Sequence, residues 1–484
     1  MNRLSLFRPD RPTARDDASR RKAARRLRPA VDALEARTVL STSTVTLVVT
    51  DPLDNPNSVD PHSLRGAIQQ ADAEPYGTDV VIDFDIYGGG LAIIDPVAPL
   101  PTITHTVTID GTSQPGAGGT AEVILDGGAL STPSDGLDFT DGASGSVVEG
   151  LGVTRFGSAG LRFTAASNIQ LVDDVVGLWA FGSTGTEYIE PNLYGVEFDG
   201  GAHETINDDV FSGNTNDGLR LIGTAFSLVE SSKFGTDPSG STYRIDSAGN
   251  PLGNGAADQY GTGLYLDNAY DNTVTGNVIS NNGTYGLQIR GPQAYGNSIT
   301  ANEIGTDATG YVADPNMTGL IIAGGASDNI ISGGNVISGN SWDGVDIDGQ
   351  GTDENELIGN FIGTGTGGNL RVANWNGIQI VNNSAYSFVY DNTISGNDSD
   401  GVYLAQTQYN DIQQNQIGLG IYGTPDGNGI YGVILVEGAS YNTVYGNNIQ
   451  YNGGAGLVTS GAGWGNGFYY NTVVNNGDGN FIWG

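Results

Sequence analysis

Three carboxylates fall close together in Trp342-Asp343-Gly-Val-Asp346-Ile-Asp348. On an extended strand, residues two apart project from the same face about 7 Å apart, so Asp346 and Asp348 form a candidate catalytic pair. That separation is near the one inverting glycoside hydrolases use, where one acid protonates the leaving group and the other activates water. A second group is aromatic: Tyr270, Tyr295, Tyr386, Tyr409, Tyr441 and Trp464 each precede a recurring Asn position by one or two residues. Rings repeated at one corner of a stack can bind sugar faces or stack on one another. They are the candidate substrate-binding residues. Metal chemistry has less to build on. The chain has no Cys, and His62, His105 and His203 are too scattered for an imidazole site. Asp-rich loops such as 237–258 suit Ca²⁺ by charge alone.

These residues are carried by a repeat. A Gly-apolar-x-apolar element begins at Gly136, Gly160, Gly195, Gly218, Gly263, Gly286, Gly319, Gly344, Gly377, Gly401, Gly432 and Gly456. Short coils, such as Gly136 to Gly160, therefore alternate with longer ones, such as Gly160 to Gly195. The short coil has room for three strands and three turns, one rung of a parallel β-helix. The period of two turns Leu264 and Leu266 inward and Tyr265 outward, with Val274 and Ile279 completing the core. Asn recurs at two fixed positions, Asn272, Asn297, Asn355, Asn410, Asn442 and Asn466 at one and Asn277, Asn302, Asn360, Asn392, Asn415, Asn447 and Asn471 at the other. Rungs about 4.8 Å apart let such amides form ladders. Asp173-Asp174 and Asn207-Asp208-Asp209 echo an Asp pair but sit in the Asn segment and read as turn residues. Asp138, Arg162, Glu197 and Arg220 are the outward residues of successive strands, a charge ladder. The long coils take their extra residues at one place, in 177–194, 235–262, 305–318, 363–376 and 418–431, which predicts a row of loops along one edge.

Charge is split between two regions. Residues 1–41 hold eleven of the 19 Lys and Arg against five acids, leaving eight basic and 49 acidic residues for the rest. A domain so acidic repels nucleic acid and suits neutral sugars or divalent cations. The basic tail has no apolar run of signal-peptide type. No stretch of about 18 apolar residues predicts a membrane span. Ser63-Leu-Arg-Gly-Ala-Ile opens a predicted helix to Ala73 with Ser63 as N-cap, between strands at 44–50 and 77–84. A helix at that end covers the first coil's core and edge.

Several segments resemble known families. Leu34-Glu-Ala-Arg-Thr-Val-Leu-Ser41 resembles the Leu-Glu-x-Arg-x-x-Leu-Ser motif near the N-terminus of many predicted exported planctomycete proteins. Ser63-Leu-Arg-Gly-Ala-Ile with Gly77-Thr-Asp-Val-Val-Ile-Asp-Phe84, followed by Ile109-Asp-Gly-Thr-Ser-Gln-Pro-Gly116 and Val123-Ile-Leu-Asp-Gly127, resembles the opening of secreted right-handed parallel β-helix repeat proteins. His62 stands where that family has Cys, and Gly66 where it has Glu. Gly349-Gln-Gly-Thr-Asp353 resembles half of a Gly-Gly-x-Gly-x-Asp calcium repeat. The β-helix fold hosts polygalacturonases and pectate and alginate lyases, but the Gly-His-Gly and Arg-x-Lys of a polygalacturonase-like site do not occur here.

The expectation is an all-β, single-stranded right-handed parallel β-helix with a short N-terminal capping helix. Its divisions are a basic export tail (1–41), a cap (42–102) and a helix of about thirteen rungs with alternating short and long coils (103–484). The expected function is a secreted or cell-surface monomer, non-catalytic, that binds a polysaccharide or cell-surface glycan along the aromatic corner and long-loop edge. A polysaccharide lyase or glycoside hydrolase of the pectin- or alginate-active type is the alternative.

Overall fold

Short runs of β-branched and aliphatic residues, punctuated by Gly and Asn at every corner, build each rung from three short strands. A computed structural model describes residues 44–57, 60–116, 121–181, 186–241, 245–246, 248–255 and 260–484. The basic tail and its export motif lie outside the described residues.

Apart from one antiparallel pair, Leu178–Phe181 with Thr186–Ile189, the described strands sort into three long parallel sheets, making an all-β right-handed parallel β-helix. The first sheet has 15 strands and runs from Thr44–Val49 to Gly467–Tyr469; the second has 14, from Ala92–Ile94 to Thr472–Val474; the third has 13, from Leu137–Phe139 to Phe481–Trp483. Register is in step from rung to rung, as in Leu264↔Leu287↔Leu320↔Val345 along the third sheet. Inward residues therefore superpose into one continuous core, in which Leu264, Leu266, Val274 and Ile279 are fully buried. Phe139, Phe163 and Phe198 form a stack inside it, with centroids 4.6 and 4.5 Å apart.

The helix α1, Leu64–Ala73, has Ser63 as its N-cap, whose side chain accepts a hydrogen bond from the Gly66 amide. Arg65 is buried. Its Nε and Nη2 donate to the two carboxylate oxygens of Asp54 at 2.6 and 2.8 Å, and its guanidinium also reaches the carbonyls of Ala98 and Pro99. A Cβ at Gly66 would run into the Asp60 carbonyl oxygen, which is why this chain carries Gly there.

Asn ladders tie the rungs together at three corners rather than two. The additional one runs through Asn192, Asn214, Asn254, Asn282, Asn316, Asn340, Asn374, Asn397, Asn428, Asn452 and Asn476, just ahead of the third sheet. Asn302 shows how an interior node works. Its side-chain amide donates to Asn335 Oδ1 and to the Val274 carbonyl, both at 3.0 Å, while its Oδ1 accepts from the backbone and side-chain amides of Asn277.

The long coils project at one corner. Thr306↔Ala313, Thr364↔Arg371 and Leu419↔Pro425 are antiparallel bridges that close three of the loops into small hairpins. The loops then hydrogen-bond to one another over the intervening short rungs, Ala308 N to Gly240 O, Thr366 N to Gly310 O and Ile421 N to Gly368 O.

Candidate functional site

The outward face of the third sheet carries the groups most able to do chemistry. Towards its N-terminal end these are spent on structure. Glu197 accepts from Arg162 at 2.9 Å and from Arg220 at 2.7 Å, and Arg220 lies over the Tyr194 ring. Arg162, Glu197 and Arg220 thus form the charge ladder expected from alternating signs, while Asp138, expected at its start, accepts from the Thr102 hydroxyl at 3.0 Å.

Further along, the same face opens into a cleft of about 710 Å³ over four successive rungs, beginning at Tyr285, Thr318, Asp343 and Asn376. Its floor is Asp343, Asp346 and Gln379. Its wall is the corner two residues ahead of the repeat Gly, where Met317, Trp342 and Trp375 sit on adjacent rungs. Trp342 N donates to Met317 O at 2.7 Å and Trp375 N to Trp342 O at 2.6 Å, so the backbones that carry the indoles are locked in step. The indole-bearing residues themselves stay 61% and 53% exposed. A smaller hollow of about 380 Å³, lined by Asn281 and Pro315 among others, shares Met317, Ser341 and Trp342 with the cleft.

Asp346 and Asp348 project from the outward face of Val345–Asp348 as the period of two requires, and Asp343 precedes them on the same rung. Burial, with the nearby Asp343 and Asp348 carboxylates adding to it, pushes the Asp346 carboxyl up to about 7. Asp343 is 6% exposed and also raised by burial, although the Asn376 side-chain amide donates to its Oδ1 at 2.9 Å. Asp348 accepts from Asn382 at 2.6 Å. Asp346 is thus a carboxyl able to hold a proton near neutral pH beside two other carboxyl groups. That suits either general acid catalysis or hydrogen bonding to sugar hydroxyls.

The six corner aromatics lie on the opposite edge of the third sheet, and five of them form two ladders. Tyr270 and Tyr295 stack at 5.2 Å. Tyr386, Tyr409 and Tyr441 stack at 5.1 and 5.3 Å, one register position later and in the left-handed backbone region. Between the ladders the corner carries Asp328, Asp353 and Glu354, and beyond them stands Trp464, 87% exposed. The stacked tyrosines cover one another's faces.

Tyr285, Met317, Trp375, Asn376 and Gln379 escaped the sequence reading. A whole long coil separates Trp342 from Trp375 in the chain, yet they share the offset of two before a repeat Gly, which is the signal that would have paired them.

In the loops expected to suit Ca²⁺, Asp237 Oδ1 accepts from the Ser239 hydroxyl and the Ser241 amide, and its Oδ2 from the Ser241 hydroxyl. Among the described residues no three His, Cys, Asp or Glu side chains converge on a metal position.

A family model described as periplasmic copper-binding protein (NosD) matches residues 135–349 and 364–480. No curated protein matches significantly. Among solved structures, the periplasmic alginate epimerase AlgG is 12% identical with a TM-score of 0.46 over 90% of this chain and 85% of its own. The Azotobacter vinelandii mannuronan C-5 epimerase AlgE4 A-module is 15% identical with a TM-score of 0.38 over 84% and 92%. Pectate lyase Pel9A is 17% identical with a TM-score of 0.36 over 75% and 80%.

Copper favours imidazole, thiolate and thioether donors, and this chain's donors do not fit it. It has no Cys, two Met and three His. The His105 ring nitrogens face the carbonyls of Thr106 and Pro75, and His203 stacks on Phe226. The family match itself spans well over half of the chain and coincides with the repeat array, so this chain belongs to the family of the periplasmic copper-binding protein NosD.

Proposed function

We propose that this protein is an exported glycan-binding β-helix whose binding site is the tryptophan-walled cleft on the third sheet. One observation carries the reading: Trp342 and Trp375 stand exposed on adjacent rungs directly above hydrogen-bonding groups, Asp343, Asp346, Asn376 and Gln379. An aromatic platform beside polar side chains is what a pyranose needs, since one face of the sugar is apolar and its rim is hydroxyls. The cleft is preferred to the tyrosine corner because the corner rings already stack on each other. The periplasmic description of the family and the export-type motif at Leu34–Ser41 support a location outside the cytoplasm.

Affinity electrophoresis on gels containing neutral or acidic polysaccharides tests the reading. Retardation of the native protein should fall at least tenfold in apparent affinity for Trp342→Ala/Trp375→Ala, with the melting temperature held. Equal retardation of the double variant would remove the cleft as the site.

A second reading rests on Asp346, whose carboxyl titrates near neutrality beside Asp343 and Asp348. In it Asp346 protonates a glycosidic oxygen and a neighbouring carboxylate activates water. Oligosaccharide release that disappears in Asp346→Asn would favour hydrolysis. Binding with no product from any bound glycan would leave the non-catalytic reading.

A further inference from the structure

The cleft's charge carries the reading further. The rung that crosses it bears Asp343 just ahead of the strand Val345–Asp348 and Asp346 and Asp348 on it, a belt of three acids across the third sheet of which Asp343 and Asp346 line the cleft; Asp353 and Glu354 follow at the next corner, outside the lining. None of the residues lining the cleft is Lys or Arg. The Arg residues of this sheet are not part of the lining: Arg162 and Arg220 are paired with Glu197 several rungs away, and Arg290, although its charge reaches Tyr285, sits at the outer edge of the face, in register with Ala323 and then Asp348. A uronate bound in the cleft would bring a carboxylate against this belt with no cation in the lining to neutralise it, in a site where burial already disfavours negative charge. A neutral hexose would instead offer hydroxyl donors to Asp343 and Asp346 and acceptors to the amides of Asn376 and Gln379.

Resting on the glycan-binding reading above, we infer that the cleft selects a neutral glycan and excludes uronate chains. The neutral chain runs along the helix axis, where Trp342 and Trp375, one rung or about 4.8 Å apart, contact successive sugars.

The test uses glucan hexasaccharides in matched pairs, each neutral oligomer with its C6-oxidised, all-uronate counterpart of the same linkage, for β-1,4, β-1,3 and α-1,4 chains. Calorimetry on the full protein at pH 8 and low salt is expected to show at least one neutral oligomer binding tenfold or more tighter than its oxidised partner, a difference of about 1.4 kcal/mol. In Asp343→Asn/Asp346→Asn, which keeps volume and whose fold is checked by melting, the gap should narrow to less than threefold. Oxidised oligomers that bind as well as or better than neutral ones, with binding lost in Trp342→Ala/Trp375→Ala, would overturn the selectivity and leave the glycan site standing. Absence of binding by any oligomer in all three pairs would overturn both.

Discussion

Replacing Glu204 by Gln should stabilise the protein at neutral pH and remove part of its sensitivity to alkali. The Asn ladders end, towards the N-terminus, in acids. Glu204 occupies the first ladder's position one rung before Ser227 and two before Asn272, and Asp174 and Asp209 extend the second ladder beyond Ser232 and Asn277. Glu204 is 1% exposed. Its Oε2 accepts the Ile169 amide at 2.7 Å, but no donor meets its Oε1 in hydrogen-bond geometry. Burial therefore pushes the carboxyl from its ordinary 4.5 up to about 8, so that it stays protonated in the folded state at neutral pH.

The sign follows from proton counting. Above pH 4.5 the unfolded chain releases this proton while the folded chain keeps it, so stability is full below 4.5, declines as pH rises, and levels off above about 8. At about 1.4 kcal/mol per pH unit the deficit at pH 7 is roughly 3 kcal/mol. Gln does not titrate, keeps the shape and adds a donor. Denaturant unfolding of Glu204→Gln and the parent at half-unit steps from pH 4 to 9 should give curves that coincide near pH 4 and diverge steadily to pH 8. Parallel curves, or a variant less stable than the parent at pH 7, would refute the placement of a protonated acid in the ladder.

The Asp174–Asp209 pair should behave in the same direction, because burial raises both, with Asp173 and Glu149 adding to it at Asp174 and Asp174 and Asp173 at Asp209; Asp174→Asn/Asp209→Asn is expected to raise the melting temperature more at pH 8 than at pH 5. Asn302→Ala should cost about 2–3 kcal/mol, since it strips partners from the buried Asn277 and Asn335 side chains and the Val274 carbonyl at once, and urea unfolding would show it. Gly305 has φ +91°, and a Cβ there would run into Asn340 Oδ1 and the Ser338 carbonyl, so Gly305→Ala should be among the most damaging single changes in circular-dichroism melts. Dialysis against Cu²⁺ followed by elemental analysis should leave far less than one equivalent bound; one tight equivalent would show that donors outside the described residues, or a rearrangement, complete a site.

The rung pattern was legible because its determinants are local: Gly and two inward apolar residues recur within every short coil, joined by Asn at the fixed corner positions from Gly263 onward. The Asn amides at 272 and 277 announce their ladders for the same reason. The third ladder hid because the long insertions separate it from the other two Asn positions; its signal is instead an offset of three or four residues before the repeat Gly, as in Asn282 before Gly286 and Asn316 before Gly319. The cleft hid more deeply. Trp342 and Trp375 are neighbours only through stacking, which brings the two ends of a long coil to within one rung of each other. Asp346 and Asp348 were visible as a same-face pair, but the contribution of Asp343 arises from burial at the rung's corner. The corner shared by the tyrosines is legible from their spacing, while their division into two ladders depends on a one-position offset of the turn.

The hairpin loops of the long coils bond to one another and pass over the short coils between them. Structurally, then, the module of this array is a pair of rungs, one long and one short, as from Gly286 to Gly344 and again from Gly344 to Gly401. A duplication or deletion that respects this module leaves every loop facing a loop, whereas a change of one rung places a hairpin against a bare corner. Chains of this type should therefore lengthen and shorten in double steps, and the sheet face that carries the cleft would grow by about 9.6 Å with each.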